Sequence, residues 1–408
     1  MRRVVVTGMG VISSLGCSLK DTWDRLQICK NAVERLPELE EYEGLHSHLA
    51  STIKDFKVPE RYNRKVLRTM GPVSIMALAA SEEALAQAGI DAQDKLVKGG
   101  RLGVAYGSSS GSIEPLLDFH SMLHTKVVRN INSSTYVKMM PQTAAVNISL
   151  YLKTTGRIIP TGTACTSGSL AVGYAYEAIK FGLQDIMIAG GAEEFSATQV
   201  AVFDTLFATS VKNQTPELTP SPYDKDRDGL VIGEGAGSLI LEEYEHAKAR
   251  GAKILAEIVG FESNTDGTHI TQPNHATIQI AIERAIKSAG ISPDEIGYVN
   301  GHGTATAQGD IAETIATADA FKRAVPISSI KSYVGHTLGA CGAIESALSI
   351  LMMNNKRFAP TLNLKNIDPS CGELDYIAGG FRDIDTEYVM NNNFAFGGIN
   401  TSLIFKRI

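Results

Sequence analysis

Cysteine is scarce in this chain. Cys17, Cys29, Cys165, Cys341 and Cys371 are its five examples in 408 residues. The number is odd and no CxxC or mixed Cys/His spacing occurs, which argues against a disulfide framework and against structural zinc. A basic excess is missing too: 38 Lys and Arg stand against 44 Asp and Glu, a formal charge of -6. Nucleic-acid binders are more often basic, so that class starts low. The same balance means that an acidic protein partner would need a local basic patch. No run approaches about 18 unbroken apolar residues, so no membrane span is expected. The opening MRRVVVTGMGVISSLG carries two Arg, but Gly and Ser interrupt its apolar stretch too early for a secretory signal. It reads as a first buried strand and turn, and a reducing cytoplasm fits the whole pattern.

What is present is globular: 44% hydrophobic and 20% charged residues. The length suggests two fused layered domains. Short apolar runs bounded by Gly, at Arg3–Thr7, Leu102–Tyr106 and Asp185–Ala189, predict buried strands. Pro72–Ala88 and Thr166–Phe181 predict helices that are small or apolar on most faces, hence buried. From Ile254 the style repeats. A strand is expected over Ile254–Gly260 and a helix over Ala276–Ala289, closed by Gly290. Ile296–Gly301 predicts a strand, Gly342–Asn354 a helix, Asn391–Phe396 a segment entering a Gly-rich turn, and Thr401–Phe405 the last strand. Strands and buried helices together imply α/β layers. The repeated style suggests halves at 1–250 and 251–408, with the joint at a charged helix, Glu242–Arg250. No Pro/Ser-rich linker separates them, so tight packing is expected.

Chemistry concentrates in Gly-flanked turns. Cys165 lies in TGTACTSGSLA, where the Thr166–Phe181 helix would begin. A helix N-terminus lowers a thiol pKa through unpaired N–H groups and the macrodipole. A lone free Cys is more often a small core hydrophobe, but Thr163, Thr166, Ser167 and Gly168 are unlike core packing. The other four Cys fit that plain role. Cys341, among Gly339, Ala340 and Gly342, is the nearest competitor, and close helix packing explains it. His302 and His336 each follow Gly at the end of an expected strand, where α/β sites form. A neutral His there can donate a hydrogen bond to developing negative charge. Lys331 follows the SSI run and is expected to be buried, with Glu345 as its partner. In NNNFAFGGIN the Gly pair permits unusual backbone angles. That segment is either a plain hairpin or an oxyanion donor with a movable aromatic.

These segments, in this order and spacing, resemble the β-ketoacyl-acyl carrier protein synthases of the thiolase superfamily, the elongating ketosynthase II type above all. The similarity spans the chain through TACTSG, PYDKDRDGLVIGEGAG, YVNGHGTATAQGD, IKSYVGHTLGACGAIES and FAFGGIN. The early GMG is no dinucleotide loop, because Ser13 stands at the third glycine position. The resemblance implies a duplicated five-layer α/β/α/β/α fold, usually dimeric, and a ping-pong decarboxylative condensation without organic cofactor or metal. It implies Cys165 as nucleophile and Cys165 and Phe396 N–H as the oxyanion hole. It implies His302 and His336 as enolate stabilisers and Lys331 with Glu345 holding the His336 loop. Asp310 and Glu313 would support the His302 loop, and Thr304 and Thr306 would bind pantetheine. Phe203 would line the acyl pocket.

Substrate and partner expectations rest on departures from the family pattern. Ala395 stands where the mobile loop usually has Gly, Ile399 replaces a hydroxyl residue, and Ala305 loses one. Ser110 takes the place of a bulky aliphatic residue that limits the acyl pocket from across the dimer. A long, rigid or unusual acyl chain, such as a polyene, is therefore expected. Arg61, Arg64, Lys65 and Arg68, at helical spacing on one face, are expected to dock an acidic acyl carrier protein. Phe207 stands where the family often has a cation. A homodimer, or a heterodimer with a chain-length-factor-like subunit, is expected. A non-catalytic partner is disfavoured because Cys165, His302, Lys331 and His336 are all present. A thiolase is disfavoured because it would use a second Cys near the C-terminus, where this chain has Phe396 and two glycines.

Overall fold

The structure is a computed structural model describing residues 1–92, 94–129 and 131–408. Its first strand, β1 (Val4–Ser13), is buried at every residue. Helix α1 (Pro72–Gln87) lies on it so closely that only glycine fits. A Cβ at Gly8 would come within 2.0 Å of the Ala84 carbonyl oxygen, and one at Gly10 within 2.1 Å of that of Ala80. The early GMG is thus a strand–helix contact.

Four more strands complete the first half: β2 (Leu102–Gly107), β3 (Ile158–Thr161), β4 (Ile186–Glu193) and β5 (Gly235–Glu243). The second half holds β6 (Ala256–Thr265), β7 (Ile296–Asn300), β8 (Pro326–Ser328), β9 (Asp375–Tyr376), β10 (Tyr388–Ala395) and β11 (Ile399–Lys406). The order across the eleven-stranded sheet is β9-β8-β7-β10-β11-β6-β1-β5-β4-β2-β3. It is nearly symmetric about the β6–β1 edge. In each half the inner pairs are antiparallel (β1 with β5, β5 with β4; β6 with β11, β11 with β10). The outer pairs are parallel (β4 with β2, β2 with β3; β10 with β7, β7 with β8). The duplication suspected from sequence style is thus explicit in the hydrogen-bond ladder.

Helices repeat as well. The halves carry α1, α2 (Thr143–Leu152) and α3 (Ser167–Lys180), then α4 (His275–Ala289), α5 (Ala307–Phe321) and α6 (Cys341–Asn355). Helices α1 with α2, and α4 with α5, pack in pairs on the outside. Helices α3 and α6 pack on each other between the two sheet halves, making five layers. Their burial explains why their sequences are small or apolar on most faces. A Cβ at Gly168 would meet the Gly339 carbonyl oxygen at 2.9 Å, and one at Gly342 the Ser169 N at 2.6 Å. The small residues flanking Cys165 and Cys341 therefore let the N-termini of α3 and α6 meet at the centre of the molecule.

Two expectations need correction. Glu242 does not begin a helix; it lies in β5, and the helix runs Tyr244–Ala249. Its buried carboxylate binds Arg250 at 2.7 Å and His246 at 2.5 Å, so the charge periodicity came from a strand end capped by a helix. The cationic residues near 64 do not share a long helical face either. The helix there is Arg64–Leu67, capped by Asn63, and Arg61 precedes it in a turn. Arg61 is paired with Glu82 of α1 at 2.6 Å, while Arg64, Lys65 and Arg68 are exposed.

Candidate active site

Cys165 sits in a 3-10 turn, Ala164–Thr166, directly before α3. The second half repeats this device in Leu338–Ala340 before α6. Ala164 and Leu338 both adopt left-handed backbone, with φ of 49° and 47°. Non-glycine residues pay roughly 1–2 kcal/mol for that region, and such strain clusters at functional sites. The equivalent of Cys165 in the second half is Gly339, so one half supplies the sulfur and the other leaves room for it.

The thiol is 5% exposed. Burial pushes its pKa up to about 12, against the pull of the Lys331 charge and the backbone N–H groups of Cys165 and Phe396. The low resting pKa expected from a helix N-terminus is therefore not found. Desolvation of the thiolate outweighs the dipole. The backbone N–H groups of Cys165 and Phe396 act on the thiolate in the opposite sense to burial.

His336 lies beside the thiol, its Nε2 3.0 Å from Cys165 Sγ. Its Nδ1 accepts the Leu338 N–H at 3.3 Å, which assigns the ring proton to Nε2, facing the sulfur. The His302 ring meets that of His336 edge-on at 5.2 Å. Burial, then the Lys331 charge, pushes both imidazoles well below the usual histidine range. Both are neutral donors at pH 7. The ligating atoms of Cys165, His302 and His336 lie within 4.8 Å of one another, which also permits a soft metal ion. The Nε2 proton directed at the sulfur favours hydrogen-bond donation over ligation.

Lys331 is buried and its Nζ contacts Glu345 Oε1 at 2.5 Å. Burial alone would lower the ammonium; the Glu345 carboxylate reverses the shift to upward. Sequence reasoning missed what lies behind this pair. Asn393 donates to Glu345 Oε2 at 2.7 Å. Asn391 donates to the Gly342 carbonyl at 3.1 Å and accepts from Asn300 at 2.8 Å. The Asn run in β10 was a visible signal, since buried amides call for partners, and Asn391 and Asn393 find them. Cys341 takes part as well, donating its thiol to the Cys165 carbonyl at 3.2 Å.

Acids hold the His302 loop from beneath. Glu313 accepts the N–H of His302 at 2.5 Å and of Gly303 at 2.7 Å. Asp310 accepts those of Thr304 and Ala305, at 3.0 and 3.1 Å. Burial pushes Asp310 up to about 6 and Glu313 up to about 8. Arg227, from the PYDKDRDG block, completes the support: it pairs with Asp368 at 2.7 Å, approaches Asp310 at 3.5 Å and donates to the Thr306 carbonyl. Glu193 plays the matching part for the His336 loop. It is fully buried and accepts from Ser108, Ser109, Ser110 and the Gly339 N–H.

A cavity of about 520 Å³ reaches Cys165, His302 and His336. Thr304, Thr306, Phe203, Ala395 and Phe396 line it; Ser110 and Ile399 do not. Phe203 and Phe396 stack at 5.0 Å beside the sulfur. Phe396 occupies the turn of the β10–β11 hairpin, so the plain hairpin and the aromatic at the site are the same object. That turn is tied to a second segment: Asp266 N donates to the Gly398 carbonyl and Gly397 N to that of Ile270, both at 2.7 Å.

A layered duplicated fold with a thiol between neutral imidazoles defines an enzyme that handles acyl thioesters. The β-ketoacyl synthase N-terminal domain family matches residues 1–247 and the C-terminal domain family residues 255–365. The 3-oxoacyl-[acyl-carrier-protein] synthase 2 of Vibrio cholerae is 38% identical, covering 100% of this chain and 99% of its own. A crystal structure of a β-ketoacyl synthase from Burkholderia phymatum STM815 is 55% identical, with a TM-score of 0.98 and 100% of both chains covered. The ishigamide ketosynthase/chain length factor is 30% identical, with a TM-score of 0.91 and 100% and 99% covered. The chain belongs to the β-ketoacyl synthase family. Among the described residues no helix is long and apolar enough to cross a membrane.

Proposed function

We propose that this chain carries an acyl group as a thioester on Cys165 and condenses it with a malonyl thioester brought by an acyl carrier protein. The carrying observation is Cys165 Sγ lying 3.0 Å from His336 Nε2, in a cluster with His302. In the first half-reaction the Cys165 sulfur attacks the incoming thioester carbonyl. The carrier's pantetheine thiol leaves with the proton that Cys165 gives up. The Cys165 and Phe396 N–H groups hold the transient oxyanion. In the second, the malonyl thioester loses CO2 and its electron pair stays as an enolate. Neutral His302 and His336 donate hydrogen bonds to that enolate oxygen as the CO2 departs. The α-carbon then bonds to the acyl carbonyl as the bond to Cys165 breaks, and the departing thiolate takes a proton from solvent. No organic cofactor is needed, because the thioester already activates the α-carbon.

Thr304 and Thr306, whose hydroxyls meet at 2.9 Å on the cavity wall, bind the pantetheine arm. Exposed Arg64, Lys65 and Arg68 are the docking cations for an acidic carrier, with Arg61 held back by Glu82. The name of the Vibrio cholerae relative, an acyl-carrier-protein synthase, supports that partner. The chain works as a dimer with a second copy or with a chain-length-factor-like subunit, as the ishigamide ketosynthase/chain length factor suggests. Small Ser110, from across that interface, leaves room for a long or rigid acyl chain such as a polyene, with Ala395 and Ile399 adjusting the gate loop.

Mass spectrometry after incubation with a panel of acyl carriers tests the reading. One acyl mass retained on the wild type and none on Cys165→Ala is expected. No retention from any carrier overturns catalysis and favours a partner role. Steady-state comparison of saturated and polyenoyl carriers tests the chain type, and a saturated preference sinks the polyene assignment.

A further inference from the structure

Phe207 is the most exposed large hydrophobic side chain lining the Cys165 cavity, at 85%. It stands just past the helix Ala197–Asp204 with a left-handed φ of 53°. Helices commonly end this way with Gly, for which the conformation is free. Here an aromatic residue takes the strain and gains no burial within the chain. The turn is pinned: Phe207 N donates to the Asp204 carbonyl at 2.9 Å and Ala208 N to that of Phe203 at 3.0 Å. The ring is thereby held out into solvent.

Its neighbours on the rim are alike. Leu206 is 46% exposed and Ile270, on the segment tied to the Phe396 turn, 67%. Charge is nearly missing. Apart from histidines, Arg227, Asp228 and Asp266 are the charged residues lining the cavity among the described residues. Arg227 is committed to Asp368 and to the Asp224, Thr306 and Ala307 carbonyls. Among the described residues that line the cavity, no free Lys or Arg therefore faces an acidic visitor, and the chain as a whole is negative.

We infer that Leu206, Phe207 and Ile270 form an apolar docking ring for the carrier protein, gripping apolar side chains beside its phosphopantetheine attachment. The inference rests on the condensing reading. A thioester reaching Cys165 through this cavity must have its carrier seated over the rim, which selects that occupant over others. An apolar rim holds the partner by short-range burial, so the final seating is insensitive to salt, unlike contacts at Arg64, Lys65 and Arg68.

The test compares an acyl-carrier substrate with the same acyl group on N-acetylcysteamine, a thioester with no protein to dock. Phe207→Ser and Ile270→Ser should each raise KM for the carrier substrate by about tenfold, the order expected for losing one buried apolar side chain. The N-acetylcysteamine thioester should be affected far less, and Phe207→Leu should restore much of the loss. Phe207→Lys should make the carrier KM more steeply salt-dependent than that of the wild type, whose salt dependence comes from Arg64, Lys65 and Arg68 alone. Equal effects on both substrates, or none on either, overturn the ring. So does a shift in sedimentation of Phe207→Ser, which would assign the patch to self-association. If neither thioester acylates Cys165 in the wild type, the condensing reading itself fails, a result distinct from any of these.

Discussion

Lys331 Nζ and Glu345 Oε1 are 2.5 Å apart, and each side chain is within 2% of complete burial. Asn393 saturates the second carboxylate oxygen. A buried pair costs much desolvation and is weak evidence of net stabilisation, but removing one partner strands the other. Lys331→Ala should therefore lose about 3–5 kcal/mol in chemical denaturation. Lys331→Met combined with Glu345→Leu should recover most of that loss while leaving the enzyme inactive. A double variant no more stable than Lys331→Ala would show that the Asn393 network, rather than the stranded carboxylate, dominates.

The charge of Lys331 also reaches the reacting groups, since it lowers both imidazoles and the thiol. Burial nevertheless wins at Cys165, whose pKa stands near 12. Only the thiolate is alkylated. Iodoacetamide labelling of Cys165 should then climb log-linearly with pH through 9 without the plateau near neutrality of an ion-paired thiolate. A plateau between pH 6 and 8 would mean that a proton has moved from Cys165 to an imidazole in the free enzyme.

Much of this site was legible before the fold was known, and the reason is physical. Cys165, His302 and His336 sit in Gly-flanked turns because sheet ends and crossing helices demand small neighbours there. Lys331 and Glu345 could be paired because each lay in an apolar run that admits no lone charge. Asn393 and Glu193 escaped notice because the Glu345 carboxylate that one binds, and the serine hydroxyls and Gly339 N–H that the other accepts, lie more than 40 residues away, which no local pattern records. The low thiol pKa was misjudged for a related reason: helix position is visible in a sequence, but the depth of burial around one sulfur is not. The cationic face near residue 64 failed because the helix capped by Asn63 starts at Arg64, three residues later than the charge spacing implies, and ends at Leu67, before Arg68.

Glycine placement gives a purely structural prediction. A Cβ at Gly10 would lie 2.1 Å from the Ala80 carbonyl oxygen, backbone that cannot swing aside. Gly10→Ala should force β1 and α1 apart and cost on the order of 1–3 kcal/mol, the range for overpacking. Gly44→Ala, with φ of 84° but open space around it, tests the alternative that φ alone matters. It should cost about 1–2 kcal/mol through backbone strain only. The two losses differ in kind: a compensating Ala80→Gly cannot rescue Gly10→Ala, because the colliding atom is main chain.

Glu313 joins catalytic geometry to pH. Both its oxygens accept loop N–H groups, of His302 and Gly303, and burial sets its pKa at about 8, above its ordinary 4.5. A carboxyl raised in this way keeps its proton in the folded chain after the unfolded chain has released it. The folded state then binds more protons, so stability falls as pH rises from about 4.5 to about 8. Asp310, raised to about 6, adds the same sign over a narrower window. Glu313→Gln cannot titrate, so its thermal midpoint should fall less than that of the wild type between pH 5 and 8. Its amide also turns one donor toward a loop N–H, so the His302 loop should loosen and condensation should slow at every pH. A wild-type midpoint that rises across this window would mean that the two N–H bonds hold Glu313 ionised despite its burial, and the variant would then lose stability most at high pH.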